Sequence, residues 1–513
     1  NGAKLSLFVM ELGADLACHL RRSGMENKSL YLPGFHLQTL RRRPRSRACR
    51  LAQERARIRE HSLMKLDACF GRFIPSLSIS QHESGAFSRR RLWSKTNTFW
   101  AFFSQVLAAD PGCQEVVRKV QAYAAAKGLA MPSSSTSAYC QARQKLESDT
   151  LEAILSNTSE QLQACGAQRR WKQRRVVVVD GTGVSMPDTP SNQALWPQQS
   201  TQVAGCGFPQ ARLCACFCLS SGALLSHRVG NRKQQELPLL RQQWDTFSVG
   251  DVMLGDKGFC SYYDVWQLQQ RGVDCVMTLA RRIPVESEQA NAVLGHDDLL
   301  IQWPKPAWNP RLSYTREDWE QLPEMLSLRQ IKVTINEPGF RTASYYLVTT
   351  LTDADQYKAH ELAELYRRRW DVELNFRDLK STLGMDVLRG LTPATVRKEI
   401  LMHLIVYNAI RLLMLEAADQ HKASLRRVSF KASMQALRHW EPQISQAGLS
   451  HTDRRALLRL MHASIAQACV PDRPGRREPR CVKRRPKPYA LLTTRRDQMQ
   501  EVPHRGRYRA KTA

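Results

Sequence analysis

Four consecutive valines at 176–179 run directly into Asp180-Gly181-Thr182-Gly183. An unbroken β-branched run has no polar face, so it fits a strand covered on both sides. Helices on both faces of a sheet supply that cover, and the glycine pair is expected to end the strand. The segments that follow fit the same layered α/β plan. Apolar runs at 213–219, 223–229, 252–254 and 275–279 are expected strands, with helices at 235–244 and 263–270. At about 285–353 the rhythm breaks. Three tryptophans and Pro304, Pro306 and Pro310 fall here, and β-like runs at 331–335 and 345–351 close the segment, which reads as a β-rich insertion. Long helices are expected at about 356–383 and 393–418.

Upstream, 87–155 is helical in pattern, with Phe99, Phe102, Phe103, Val106 and Leu107 at helical spacing. The resulting division is a leader at 1–63 without clear apolar periodicity, a helical DNA-binding domain at 64–160, and an α/β domain at 170–420. A helical region at 421–470 and a basic, flexible tail at 471–513 follow. Met64 is the expected natural start. Arg89, Arg90, Arg91, Lys95 and Arg143 suit a grip on DNA, and equally a packing domain with solvated charges.

The net charge of +29 concentrates polyanions around the chain, so nucleic acid is the expected partner. The fourteen cysteines include no Cys-x-x-Cys pair; Cys214, Cys216 and Cys218 alternate and read as small apolar residues on one strand face. A reducing, cytoplasmic setting follows. The most apolar stretch, 400–415, contains His403, Asn408 and Arg411, so it reads as a buried helix and no membrane partner is expected.

Asp180 and Asp256 share one situation, each following a short apolar strand and preceding a glycine. Strand ends open into the crevice where α/β sheets bind ligands. Two carboxylates there repel unless a cation lies between them, and Mg²⁺ suits few carboxylates with water and phosphate oxygen completing its shell. Either aspartate alone is equally explained as a turn cap. On the helix at 356–383, about 100° per residue puts Tyr366, Arg369, Glu373 and Lys380 on one stripe roughly 60° wide, with Arg377 and Trp370 beside it. Alone, this stripe would be a solvated face with i, i+4 pairs; beside two aspartates it forms a wall suited to an anion.

The run Tyr366-x-x-Arg369-x-x-x-Glu373-x-x-x-x-x-x-Lys380 resembles the YREK signature of DDE transposases of the insertion-sequence-4 type. Asp180-Gly181-Thr182 and Gly255-Asp256-Lys257-Gly258-Phe259 look like the first and second Asp motifs of that family, in order. The resemblance covers roughly 87–418; the leader and the tail have no counterpart in it. It implies a ribonuclease-H-like core carrying the β-rich insertion, with Asp180, Asp256 and Glu373 as catalytic residues holding two Mg²⁺ ions, for which Mn²⁺ substitutes. It also implies Tyr366, Arg369 and Lys380 on DNA, and Trp303 or Trp308 stacked on a flipped base; Arg377, from its place by the stripe, is a further expected DNA contact. The implied partners are double-stranded DNA with terminal inverted repeats, target DNA and a second copy of the chain in a synaptic dimer at the bacterial nucleoid. Two other readings share these residues: an inactive, end-binding or repressor derivative, and a structure-specific nuclease that cuts without joining.

Overall fold

The computed structural model describes residues 92–471 except 127–130, 280–285, 311–313, 336–343 and 447–448, together with 66–70, 73–74, 79, 492–502 and 507–510. The expected leader and most of the expected basic tail lie outside these residues. After a single helical turn at Leu66–Phe70 come four helices: α1 (Lys95–Leu107), α2 (Cys113–Ala126), α3 (Ser137–Lys145) and α4 (Ser148–Cys165). There follow β1 (Val176–Ser185), α5 (Pro190–Leu195), β2 (Gln210–Cys218), β3 (Leu224–Asn231), α6 (Glu236–Arg241), β4 (Val252–Gly255), α7 (Tyr262–Gln270) and β5 (Asp274–Thr278).

All four valines are buried, and their alternation divides them between two apolar layers. Val176 and Val178 join the core that contains the C-terminal helices, whereas Val177 and Val179 pack with Leu239, Leu240, Val265 and Leu268 of α6 and α7. Covering each valine contributes roughly 1.5–3 kcal/mol, so the run holds the helical layers on both sides of the sheet. The glycine pair does not end the strand. β1 continues through Gly181 and Gly183, paired with β2 as far as Ser185↔Gln210. What ends is its other neighbour, β4, at Gly255.

The insertion holds β6 (Ala292–Gly295), β7 (Asp298–Pro304), α8 (Arg316–Glu320), β8 (Met325–Thr334) and β9 (Ser344–Thr349). It contributes four strands where two were expected, because β6 and β7 are joined by a tight turn with Asp297 at φ 59° and lack a clean alternation. These strands extend the main sheet, in the order β3-β2-β1-β4-β5-β9-β8-β7-β6. Only β1–β4 and β4–β5 are parallel. Cys214 and Cys216 share one apolar layer as expected, whereas Cys218, the last residue of β2, packs with the other.

The expected helix at 356–383 is α9 (Ala359–Arg367), a 3₁₀ turn (Arg368–Trp370), α10 (Asp371–Arg377) and a π turn (Asp378–Thr382). Behind it runs α11 (Pro393–Gln420), 28 residues long, followed by α12 (Phe430–Ile444) and α13 (His451–Gln467). α1 and α4 pack on α11, so one apolar core runs from the upstream helices to the C-terminal ones. Asn408, His403 and Arg411 of α11 have interior partners. Asn408 bonds both backbone groups of Leu224 at 2.9 and 3.1 Å, His403 lies 2.8 Å from the Glu399 carbonyl, and Arg411 reaches Asn375 and Asp378.

One buried arginine, paired within the insertion, ties it to the segment that follows. Arg329 of β8, fully buried, donates to both oxygens of Asp298 at 2.7 and 2.6 Å and to the Tyr357 carbonyl at 2.6 Å, just ahead of α9. Removing one member of such a pair leaves the other charge buried alone. Arg329→Met is therefore expected to cost about 3–5 kcal/mol, read as a lower midpoint in chemical denaturation. A midpoint unchanged from the parent would exclude this anchoring role.

Candidate active site

Because β1 outlasts β4, its edge beyond Val178 has no strand partner on the β4 side. The parallel register pairs Val176 with Val252, Val177 with Met253 and Val178 with Leu254. Asp180 and Asp256 each lie two residues beyond the last pair and so share this open notch. Asp180 is therefore a mid-strand residue, not the strand-end residue expected from sequence; the crevice exists because the neighbouring strand stops. The Asp180 Oδ1 accepts the Gly181 N–H at 2.7 Å, and the Asp256 Oδ1 accepts the Gly258 N–H at 2.8 Å.

The helical stripe closes one side of the notch. Arg369 is buried, with Nη1 3.8 Å from the Asp180 Oδ2. Its guanidinium carbon sits 4.7 Å from the Trp370 ring centre, and its buried Nε has no acceptor. Tyr366 is buried with its hydroxyl 3.1 Å from the Thr278 Oγ1 at the end of β5. Lys380 donates to the Thr182 Oγ1 at 3.2 Å. Glu373 is exposed to solvent yet near enough to Asp180 to act on its charge.

Burial is the main reason that the Asp180 carboxyl is pushed up from its ordinary 3.8 to about 7. The Gly181 N–H and Arg369 oppose this, while the charges of Glu373 and Asp256 reinforce it. Both of the other carboxylates thus act on Asp180. Among the described residues no three His, Cys, Asp or Glu side chains converge closely enough to hold an ion in this arrangement.

The remaining expected residues lie elsewhere. Arg377 is exposed and pairs with its neighbour Asp378 at 3.7 Å. Trp303 belongs to β7; it is half-buried, edge-on to Tyr262 at 5.4 Å. Trp308 packs edge-on against Trp319 at 6.2 Å. Three participants were missed from the sequence: Thr182 and Thr278, which anchor Lys380 and Tyr366, and Glu236. Thr278, at the end of β5, had its strand-end position to suggest it; Thr182, inside β1, and Glu236, at the start of α6, had no such local signal.

Residues 171–409 match the family model described as Transposase DDE domain, a span that contains every carboxylate of the notch. The chain thus carries a transposase DDE domain over that span. It is 26% identical over 376 residues to the transposase InsG for insertion sequence element IS4 of Escherichia coli (strain K12), covering 70% of this chain and 78% of that one. The transposase for insertion sequence element IS421 of Escherichia coli is 38% identical over 63 residues, 12% of this chain and 17% of its own length. A piggyBac transposase synaptic complex with hairpin DNA superposes with a TM-score of 0.37 at 10% identity, over 81% of this chain and 87% of that one, too loosely to bear on the fold. DNA transposition is thus the transposase's function, DNA its partner, and divalent metal ions are in general use by its domain family.

In metal-free transposase, the folded chain holds the Asp180 proton more tightly than the unfolded chain does. Ionising Asp180 therefore removes stability as pH rises from about 4 to about 7. Asp180→Asn removes that cost. The variant should match the parent near pH 4 and exceed it near pH 8 by a few kcal/mol at most, at about 1.4 kcal/mol per pKa unit. Thermal melts in a chelator read this difference, and a gap independent of pH would sink the assignment.

Proposed function

We propose that this transposase cuts and pastes DNA: it cleaves at element ends and joins the freed 3′ ends to target DNA, with Asp180, Asp256 and Glu373 as its catalytic carboxylates. The observation that carries the reading is the state of Asp180. It is a half-buried carboxylate raised mainly by burial and further by two others, with a guanidinium 3.8 Å away. Such a notch is short of positive charge, and the donors are all carboxylate oxygens, which fits a hard divalent ion. Asp180, Asp256 and Glu373 would hold two Mg²⁺ ions, or Mn²⁺ in their place. The ions would supply charge neutralisation and an activated oxygen nucleophile for in-line phosphoryl displacement.

The protein's own groups do the rest. Arg369 presents a planar fork suited to a bidentate grip on the phosphate next to the cut. Its unsatisfied Nε supports that role. Lys380 spends one N–H on Thr182 and keeps two for phosphate oxygen. Tyr366, held by Thr278, fixes the wall against which the strand lies. Arg377, Trp303 and Trp308 are left as outer DNA contacts: Arg377 at the solvent side of α10, and the two tryptophans on the insertion. Three antiparallel strands, β3-β2-β1, followed by parallel β4 and β5 with helices on both faces, support a ribonuclease-H-like core. We take 170–420 as that unit with its insertion at 285–353, and 64–160 as a DNA-binding region ahead of it. The active species would be a dimer pairing two terminal inverted repeats, in the bacterial cytoplasm at the nucleoid.

Asp180→Asn, Asp256→Asn and Glu373→Gln should each lower Mg²⁺-dependent cleavage and strand transfer on end DNA by about 10³-fold, equivalent to about 4 kcal/mol, while end binding in gel shift persists. Strand transfer at the parent rate in all three variants would refute the catalytic assignment. A parent protein that binds ends without cutting would be an end-binding derivative, and one that cuts without joining would be a nuclease.

A further inference from the structure

Glu236, the first residue of α6, lies across the sheet from α10. Strand alternation turns Asp180 toward α10 and position 181 toward α6. A Cβ on Gly181 would sit 2.2 Å from the Glu236 Oε1 and 2.4 Å from its Cδ, so the glutamate's carboxylate occupies the place of the missing side chain. A side chain on the α6 layer ordinarily cannot reach a group on the opposite layer, because the sheet lies between them. Two local features remove that barrier: residue 181 has no side chain, and β4 has already ended at Gly255. Glu236 is half-buried and within electrostatic reach of Asp256. Its cationic neighbour is Arg212 of β2, whose Nη1 is 3.9 Å from Oε1 and which also donates to the Gln234 carbonyl at 3.2 Å.

Bringing a carboxylate toward another costs free energy unless a cation offsets it. No apolar contact or direct hydrogen bond between Glu236 and Asp180 or Asp256 accounts for the approach. We infer that Glu236 enters the Asp180–Asp256 notch through the gap at Gly181, as a fourth carboxylate for the divalent ion, held from the α6 side. This rests on the reading that the notch holds such an ion. Glu373 then guards the ion from one layer and Glu236 from the other, with Arg212 setting the rotamer of Glu236 from behind.

Mn²⁺ alone tests the inference without activity as the readout. Full-length protein is titrated with Mn²⁺ in the absence of DNA, following free ion by electron paramagnetic resonance. Chelator-treated samples are melted to establish that each variant is folded. Glu236→Gln is expected to weaken Mn²⁺ binding about 10-fold or more. Gly181→Ala keeps every carboxylate but puts a methyl where Glu236 sits, and should weaken it similarly. The double variant should be no weaker than either single one, because both remove the same contact. Should Gly181→Ala fail to fold, the Glu236→Gln titration decides alone. Parent-like Mn²⁺ binding by Glu236→Gln, alongside loss of binding in Asp180→Asn, would overturn the role of Glu236 and leave three carboxylates. Parent-like binding by Asp180→Asn as well would instead overturn the reading of the notch on which it rests.

Discussion

A strand that runs past its neighbour leaves backbone and side chains that the sheet no longer shares, and this transposase places its charged chemistry on such an overhang. β1 pairs with β2 along its whole length but with β4 for three residues. The space beside Asp180 that a longer β4 would have filled is open to side chains from both layers. Asp256 enters as β4 ends, Arg369 and Lys380 approach from the α10 side, and Glu236 comes from the α6 side. Lengthening β4 by one residue pair would close this space, so the unequal strand lengths matter as much as the residue identities.

The wall of the notch is held by contacts remote from it. Arg411 of α11 fixes α10 and the π turn through Asn375 and Asp378. Glu399, also on α11, accepts the N–H groups of Arg389 and Gly390 just beyond the π turn. Arg329 clamps the segment that leads into α9. The exposed Glu373 thus stands on a helix whose two ends are tied to buried charges. Its backbone is positioned while its side chain stays free to move, a useful division for a group that must meet DNA and ion together.

Much of this was legible in the residues. The valine run announced a two-sided strand, and its two layers are those observed. The pairing of Asp180 with Asp256 followed from their shared position after apolar runs. Residue chemistry does not record strand length, however, and the glycines that seemed to end β1 instead open its side to Glu236. The stripe of Tyr366, Arg369, Glu373 and Lys380 survives, although a 3₁₀ turn and a π turn replace the uniform helix from which it was derived. Tightening at one end and loosening at the other alter the assumed 100° step, and Arg377 lies outside the cluster. Pro304, Pro306 and Pro310 suggest no strand at Trp303, yet the pairing of β7 with β8 reaches Pro304. That pairing is a long-range fact, invisible to local composition.

The interior of α11 has a further consequence in time. By length and apolarity this helix is fit to cross a membrane, yet 89% of its most apolar window is buried within the protein. Its cover includes α1 and α4, which leave the ribosome more than two hundred residues earlier at the usual N-to-C order of synthesis. A receptive surface is therefore made before the helix that needs it. The buried polar groups Asn408 and Arg411 then favour docking there over any lipid alternative, since their partners wait on β3 and α10. Chain order itself acts as a safeguard against mis-sorting of the most greasy segment.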